Sequence, residues 1–509
     1  MAKELLLAVD AACAAFRDSV AIIDAGGSYT YSQLSADADA IAAALACAGA
    51  GMDEPVIVRV SNRARDWAAF LGAWRAGCVA TPVHRSSAPL ALAGIIDKTA
   101  ARFIVDGEPA QVKLPDALAG RARTVGDRRL TLLGRPAPPL RPMLADAAFI
   151  IFTSGSTGQP KGAVVCHQAW EGKLKAIDSI LKFDRDTRSL LVLQITFSFG
   201  IWVSLLTLTR GGTLYVHEKY DPARMIAALD RDAITSVALV PTMLRALLAH
   251  RDHPDVQMHV TAINEANRLR QLLTGGESLG AVLNQTMRRL LPGTALYDIY
   301  GLTETATSDF FLMPEDQSDY PGCIGRPTPG VLFRIADERG NPVAEGESGE
   351  LQILTRYIMN GYLDEPELTQ KAFHGNYFRT GDIARIRYNG GNNGVVELVG
   401  RAKELISRAA NKISPLEIEQ VFLQHPAVAE AMVAGVPDPV IGERIHILIV
   451  PRNGAEPSTE ELRKWASQWL EKFKLPDVFH FGTALPLGRT GKADRGRLRE
   501  IVMSGASVA

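Results

Sequence analysis

Residues 153–162 read Thr153-Ser154-Gly155-Ser156-Thr157-Gly158-Gln159-Pro160-Lys161-Gly162, with four hydroxyls, three glycines and one lysine in ten residues. Glycines let backbone N–H groups turn towards an anion with no Cβ in the way. Hydroxyls donate to its oxygens, and the lysine adds positive charge. Just before it, Ala148-Phe149-Ile150-Ile151-Phe152 reads as a buried strand that fixes the base of the loop. The stretch therefore reads as a phosphate-binding loop. It is not the Walker A pattern, which needs Gly-Lys-Ser/Thr, because Pro160 precedes Lys161 and Gly162 follows it. Taken alone it also fits a Ser/Gly turn with a solvated lysine.

Outward from the loop, helical and strand-like patterns alternate. Asp37–Ala48 carries Ile41, Leu45 and Ala48 at helical spacing, and Pro55–Val60 is a β-branched run. Four prolines between Gly134 and Pro142 make a stiff connector into the loop's strand. Leu190–Leu193 and Ser236–Val240 read as strands and Pro222–Leu229 as a helix, so the class is α/β in layers. After about residue 400 the texture changes. Ser414-Pro415-Leu416-Glu417 and Ser458-Thr459-Glu460-Glu461 are capping boxes, with strand-like Ala431–Val436 and Ile445–Val450 between their helices. Leu462, Trp465, Trp469 and Phe473 follow the second box at helical spacing. The expected organisation is a large N-terminal lobe of layered α/β subdomains, residues 1–400, and a small mobile α+β domain, residues 401–509.

The chain has 509 residues, 47% of them apolar, enough for several cores. Lys and Arg number 55 against 56 Asp and Glu, so no basic excess points to nucleic acid. Cys13, Cys47, Cys78, Cys166 and Cys323 are scattered, which argues against a disulfide framework or zinc site and for a reducing compartment. The apolar run Leu5–Val9 is broken by Asp10, too short for a secretory signal, and no run is long enough to span a membrane. A cytoplasmic protein is expected.

Five further motifs follow the loop: Gly275-Gly276-Glu277, Tyr300-Gly301-Leu302-Thr303-Glu304, Arg379-Thr380-Gly381-Asp382, Gly400-Arg401-Ala402-Lys403-Glu404 and Gly488-Arg489-Thr490-Gly491-Lys492. With the loop, they resemble in order the motifs of the adenylate-forming superfamily: acyl- and aryl-CoA synthetases, peptide-synthetase adenylation domains and luciferases. The resemblance implies that a carboxylate attacks the α-phosphorus of ATP, pyrophosphate leaves, and a thiol takes the acyl group. Both first reactants are anions, so the protein must supply oriented donors and positive charge.

The resemblance assigns roles. Thr153 to Gly158 and Lys161 hold phosphate, Thr303 donates to the α-phosphate, and Glu304 ligates Mg²⁺, a hard ion suited to oxygen. Tyr300 offers its ring to adenine, Gly275, Gly276 and Glu277 cover the other face, and Asp298 accepts from adenine N6 beside Gly301. Asp382 takes the ribose hydroxyls, as acidic residues do in dinucleotide folds, and Arg401 adds a ribose or phosphate contact. Lys492 is the adenylation lysine and Lys403 the hinge. Cosubstrates would be ATP, a small carboxylic acid and coenzyme A, or in a second reading a carrier-protein thiol. The chain runs only a short way past Lys492, so no attached carrier domain is expected.

Two departures matter. Where the family usually has two glycines after the hinge, this chain has Ala409-Ala410, which strains the loop if either needs positive φ. The segment Thr196-Phe197-Ser198-Phe199-Gly200-Ile201-Trp202 resembles the acid-binding motif, and Gly200 stands where amino-acid-activating relatives place an aspartate. An acid without an α-amino group is expected, its apolar or aryl body against Phe197, Phe199 and Trp202; these aromatics also fit a plain core role. Two rivals remain: Gly276-Glu277-Ser278-Leu279-Gly280 matches a hydrolase nucleophile elbow, with His374 and His425 downstream, and a fold of this family could bind nucleotide without catalysis, which the presence of Lys492, Thr303 and Glu304 argues against.

Overall fold

The computed structural model describes residues 3–107, 113–114, 123–125, 129–153, 160–277, 279–388, 394–409, 411–452, 454–487 and 493–504. Two large sheets carry the N-terminal part. One has nine strands, the central ones being Ala295–Tyr300, Gln271–Gly275, Ser236–Leu239, Arg188–Leu191, Thr213–Val216 and Val20–Asp24, all parallel. The other has eight, with Lys161–Cys166, Ala147–Thr153, Val79–His84, Pro55–Val60 and Phe103–Asp106 in its middle. Strands buried on both faces read as continuous apolar runs, which is why Pro55–Val60 is buried at every position. One core joins both sheets through helices such as His167–Leu181 and Ser198–Thr209. The helix Ser198–Thr209 is apolar almost all round because it lies inside that core.

A third, antiparallel sheet holds Val331–Ala336, Gly349–Thr355, Tyr377–Arg387 and Val395–Arg401. The small C-terminal domain has its own five-stranded sheet, with Val428–Asp438 against Gly442–Pro451, and its own core around Ile418, Phe422 and Ile447. Arg401 ends the last strand of the third sheet, opposite Asp382.

The capping residues act on one side only. Ser414 Oγ accepts from Glu417 N at 3.3 Å and Ser458 Oγ from Glu461 N at 3.1 Å, while the glutamates turn to Lys474 and His425. The second helix stops at Ala466. Its buried positions are Leu462 and Ala466, with Leu470 buried beyond its end, whereas Trp469 is 62% exposed and Phe473 38% exposed. The expected stripe through Trp469 and Phe473 therefore gives way to one a residue out of phase, because the helix is too short to carry it.

Candidate active site

Three motifs stand at the C-terminal ends of parallel strands in the nine-stranded sheet. Residues 196–202 follow Arg188–Leu191, Gly275 ends Gln271–Gly275, and Tyr300 ends Ala295–Tyr300. That edge of a parallel sheet is where loops open a crevice for ligands. From the other large sheet, Thr153 and Lys161 face each other across an antiparallel hairpin. Ser154, Gly155, Ser156, Thr157 and Gly158 lie in the connection, outside the described residues. Lys98 Nζ donates to Pro160 O at 2.9 Å beside it.

The Lys161 ammonium lies 5.3 Å from the centre of the Tyr362 ring, and the Tyr362 hydroxyl donates to Glu304 Oε1 at 2.8 Å. The hairpin expected to hold phosphate and Glu304 are thus linked through one aromatic residue. Tyr362 was not singled out from the sequence; Gly361–Tyr362 is a two-residue strand paired with Lys161–Cys166, too short to leave a periodic signal. Thr303 Oγ1 donates to Ser198 Oγ at 3.3 Å, which joins the same point to the segment expected to bind the acid. Among the described residues no group of three His, Cys, Asp or Glu is arranged to hold a metal. The donor set still fits Mg²⁺, which is commonly held by one or two carboxylates plus substrate phosphates and water.

The Tyr300 hydroxyl donates to Asp382 Oδ2 at 2.5 Å, and Arg401 Nε donates to Asp382 Oδ1 at 3.1 Å. Burial pushes the Asp382 carboxyl up and Arg401 pulls it back, while burial and the carboxylate hold the Tyr300 phenol far above its usual range. The Tyr300 ring also packs edge-on to Phe310 at 6.0 Å. Asp298 is buried on the same strand, and burial raises its pKa to about 8, so it is neutral at pH 7 and keeps a carbonyl oxygen as acceptor. At Gly275 a Cβ would fall 2.4 Å from Ile299 O, and at Gly301 one would fall 2.0 Å from Ser308 N. Both glycines are demanded by close backbone approach. Glu277 turns to Arg245 at 3.3 Å, and Arg245 reaches Glu430 of the small domain at 3.0 Å.

Of the expected acid-binding residues, Phe197 and Phe199 keep exposed surface; Trp202 is wholly buried in the main core and stacks on Phe199 at 5.7 Å. A Cβ at Gly200 would lie 2.6 Å from Gln194 O, so no side chain fits there without moving backbone. The segment is clamped by Asn62, another residue the sequence reading missed. Asn62 donates to Leu193 O at 2.7 Å and accepts from Ile195 N at 3.2 Å.

Lys492 lies outside the described residues; Leu487 and Ala493, on either side of residues 488–492, pair in an isolated antiparallel bridge. Next along, Arg495 donates to Glu404 Oε2 at 2.8 Å, tying that stretch to the segment of Lys403. Ala409 has φ of 52°, the strained geometry its glycine-lacking sequence put at risk. Ala410 lies outside the described residues.

The AMP-binding enzyme family profile matches residues 9–363, and that of the AMP-binding enzyme C-terminal domain matches residues 417–492. The chain belongs to the AMP-binding enzyme family. It is 30% identical to a feruloyl-CoA synthase from an Amycolatopsis species over 487 residues, 94% of this chain and 95% of that protein. It is 33% identical to a 2-succinylbenzoate–CoA ligase of Staphylococcus aureus over 356 residues, 70% of this chain and 67% of the relative. The fold matches the anthranilate CoA ligase AuaEII bound to anthranoyl-AMP with a TM-score of 0.85 and 21% identity, covering 99% of this chain and 97% of that one. Membership of this family overturns the hydrolase reading. Ser278 itself lies outside the described residues, while His425 sits in the small domain against Glu461 and Trp465. Among the described residues no helix is long and apolar enough to cross a membrane.

Proposed function

We propose that this AMP-binding enzyme activates a carboxylic acid with an apolar or aryl body and no α-amino group, and passes the acyl group to coenzyme A. A carboxylate oxygen attacks the α-phosphorus of ATP and pyrophosphate leaves. The thiol of coenzyme A then attacks the acyl carbon and AMP leaves with the bridging oxygen. The observation that carries this reading is the chain Lys161–Tyr362–Glu304, which meets Thr303 and Ser198 where the ends of the two large sheets come together. It sets a cation, a carboxylate and two hydroxyls where polyphosphate and acid would meet. A bound Mg²⁺ would neutralise phosphate charge, held by Glu304.

Each remaining role follows from chemistry. Thr303 would donate to the α-phosphate as charge builds there. Ribose hydroxyls would compete with the Tyr300 phenol for Asp382, with Arg401 beside it. The Asp298 carbonyl oxygen would accept from adenine N6. Lys492 would bring the last positive charge from the small domain, with residues 401–509 moving about Lys403. Closure excludes water from a hydrolysable acyl-adenylate, and a later opening admits the thiol. The absence of side-chain room at Gly200 supports an acid lacking an ammonium group, and the named relatives favour a CoA thiol.

The test is an acid panel scored by acid-dependent ATP–pyrophosphate exchange, with thioester formation measured with and without coenzyme A. Aryl and aliphatic acids should support exchange and amino acids should not. Exchange with amino acids alone would overturn the substrate class. Exchange without thioester on coenzyme A, but with a carrier-protein thiol accepted, would move the acceptor to the second reading.

A further inference from the structure

The turn that carries Thr303 and Glu304 is strained. After the short 3-10 turn Thr303–Thr305, the residues Ala306, Thr307 and Ser308 take φ of 53°, 73° and 46° in succession. L-residues with a side chain avoid this region, and three in a row persist only where the surroundings over-determine them. The backbone folds tightly back: Thr307 N donates to Leu302 O at 2.8 Å, Asp309 N to Tyr300 O at 2.7 Å, and Thr328 Oγ1 to Ser308 O at 2.7 Å.

The Asp309 carboxylate organises this turn from within. It accepts from the Thr305 hydroxyl and from Leu302 N at 3.4 Å, and its other oxygen meets Lys173 Nζ at 2.8 Å. Both side chains of the pair have zero exposure. Lys173 also lies 4.9 Å from the centre of the Tyr357 ring. Burial pushes the lysine down and the carboxyl up, each opposed by its partner. Such a pair is weak as a source of stability, because apolar side chains of similar volume often do as well or better. What it adds is geometry. Lys173 stands on helix His167–Leu181, which begins where the strand Lys161–Cys166 ends, so the pair spans the two segments expected to face the phosphates.

We infer that Lys173 and Asp309 are positioning residues for adenylation: their buried ion pair ties the helix behind the phosphate hairpin to the left-handed turn that aims Thr303 and Glu304. The inference rests on the proposed reaction. Neither residue touches substrate. Both act through the turn, so their loss should harm the step that builds charge on phosphate and spare attack by the thiol on a preformed acyl-adenylate.

The experiment compares wild type with Lys173→Met and Asp309→Asn in both half-reactions, folded fraction being fixed by circular dichroism and thermal unfolding. Misplacing a reacting group by about 1 Å costs about 100-fold, so kcat for acid-dependent pyrophosphate exchange should fall by about that factor. KM for the acid should stay within about twofold, and thioester formation from synthetic acyl-adenylate within about threefold, because neither reads the turn directly. Binding of MgATP by calorimetry should weaken about tenfold through lost charge-assisted contacts. Unchanged exchange in folded variants, or an equal fall in both half-reactions, would overturn the inference. If a single variant does not fold, the double variant K173M/D309N, which leaves no unpaired buried charge, carries the same comparison. If wild type exchanges with no acid, the proposed function fails on its own; MgATP affinity then decides, and equal affinities in wild type and variants would sink the positioning role.

Discussion

Of the places where side-chain-bearing residues take left-handed backbone, the turn at Ala306 to Ser308 and the one at Ala409 are supported very differently. Ala306 to Ser308 are buried and surrounded by hydrogen bonds, with an ion pair beneath them. Ala409 is exposed, its backbone N–H meeting Ile441 O at 2.7 Å, and its methyl group has nothing to bond. Strain in the first turn is fixed by everything around it, as expected where geometry must not drift. Strain in the second lies in a segment just past the proposed hinge, where the family resemblance implies glycine. On the proposed function, the contrast makes the turn of Thr303 and Glu304 the rigid part and the segment after Lys403 the adjustable one.

The largest effect should come from the first turn's cargo. Glu304→Gln should lower kcat of pyrophosphate exchange by about 100- to 1,000-fold, the scale of losing one preorganised electrostatic group. Thioester formation from synthetic acyl-adenylate should fall far less, and an equal fall would erase the distinction between the two turns. Next, Gly301→Ala drives a Cβ to 2.0 Å from Ser308 N. Overpacking of this kind costs about 1–3 kcal/mol, so the thermal midpoint should drop and exchange with it. A neutral outcome would mean that the first turn can yield after all.

A pH experiment sharpens the picture of the rigid side. Asp298, with a folded pKa of about 8, stays protonated while its unfolded counterpart ionises above about pH 4. Between those values the folded state holds the extra proton, so stability falls as pH rises through that window and levels off above it. Asp298→Asn removes the slope, and its advantage in thermal midpoint over wild type should grow from about pH 5 to about pH 8. A constant difference would show that Asp298 is ionised when folded. The smallest effect belongs to the second turn. Ala409→Gly relieves left-handed strain of about 1–2 kcal/mol but adds about 0.5–1 kcal/mol of unfolded-chain entropy, leaving a net gain between about 0 and 1.5 kcal/mol. Thermal unfolding reads it, and a loss of stability would reverse the contrast.

Much of this was legible in the chain itself. Glycines, hydroxyls and a lysine in ten residues mark the phosphate hairpin, and Thr153 opposite Lys161 closes it. Gly275, Gly301 and Gly200 were picked out by motif, but the reason each is a glycine, a Cβ that would strike the backbone of Ile299, Ser308 or Gln194, shows only in the fold. The ties from far along the chain were silent. Tyr362 reaches Glu304 across 58 residues, and Lys173 reaches Asp309 across 136. Nothing periodic announces such pairs, because each half reads as an ordinary surface tyrosine, lysine or aspartate until packing joins them. Trp469 and Phe473 mislead for the opposite reason: their spacing suits a helix that packing ends at Ala466.

The most direct measurement follows an oxygen atom. Incubating the enzyme with ATP, Mg²⁺, coenzyme A and an accepted acid whose carboxylate carries heavy oxygen should deliver one labelled oxygen into AMP, read by mass spectrometry, because the bridging atom of the mixed anhydride leaves with the nucleotide. Thioester formed with no label in AMP would contradict the account.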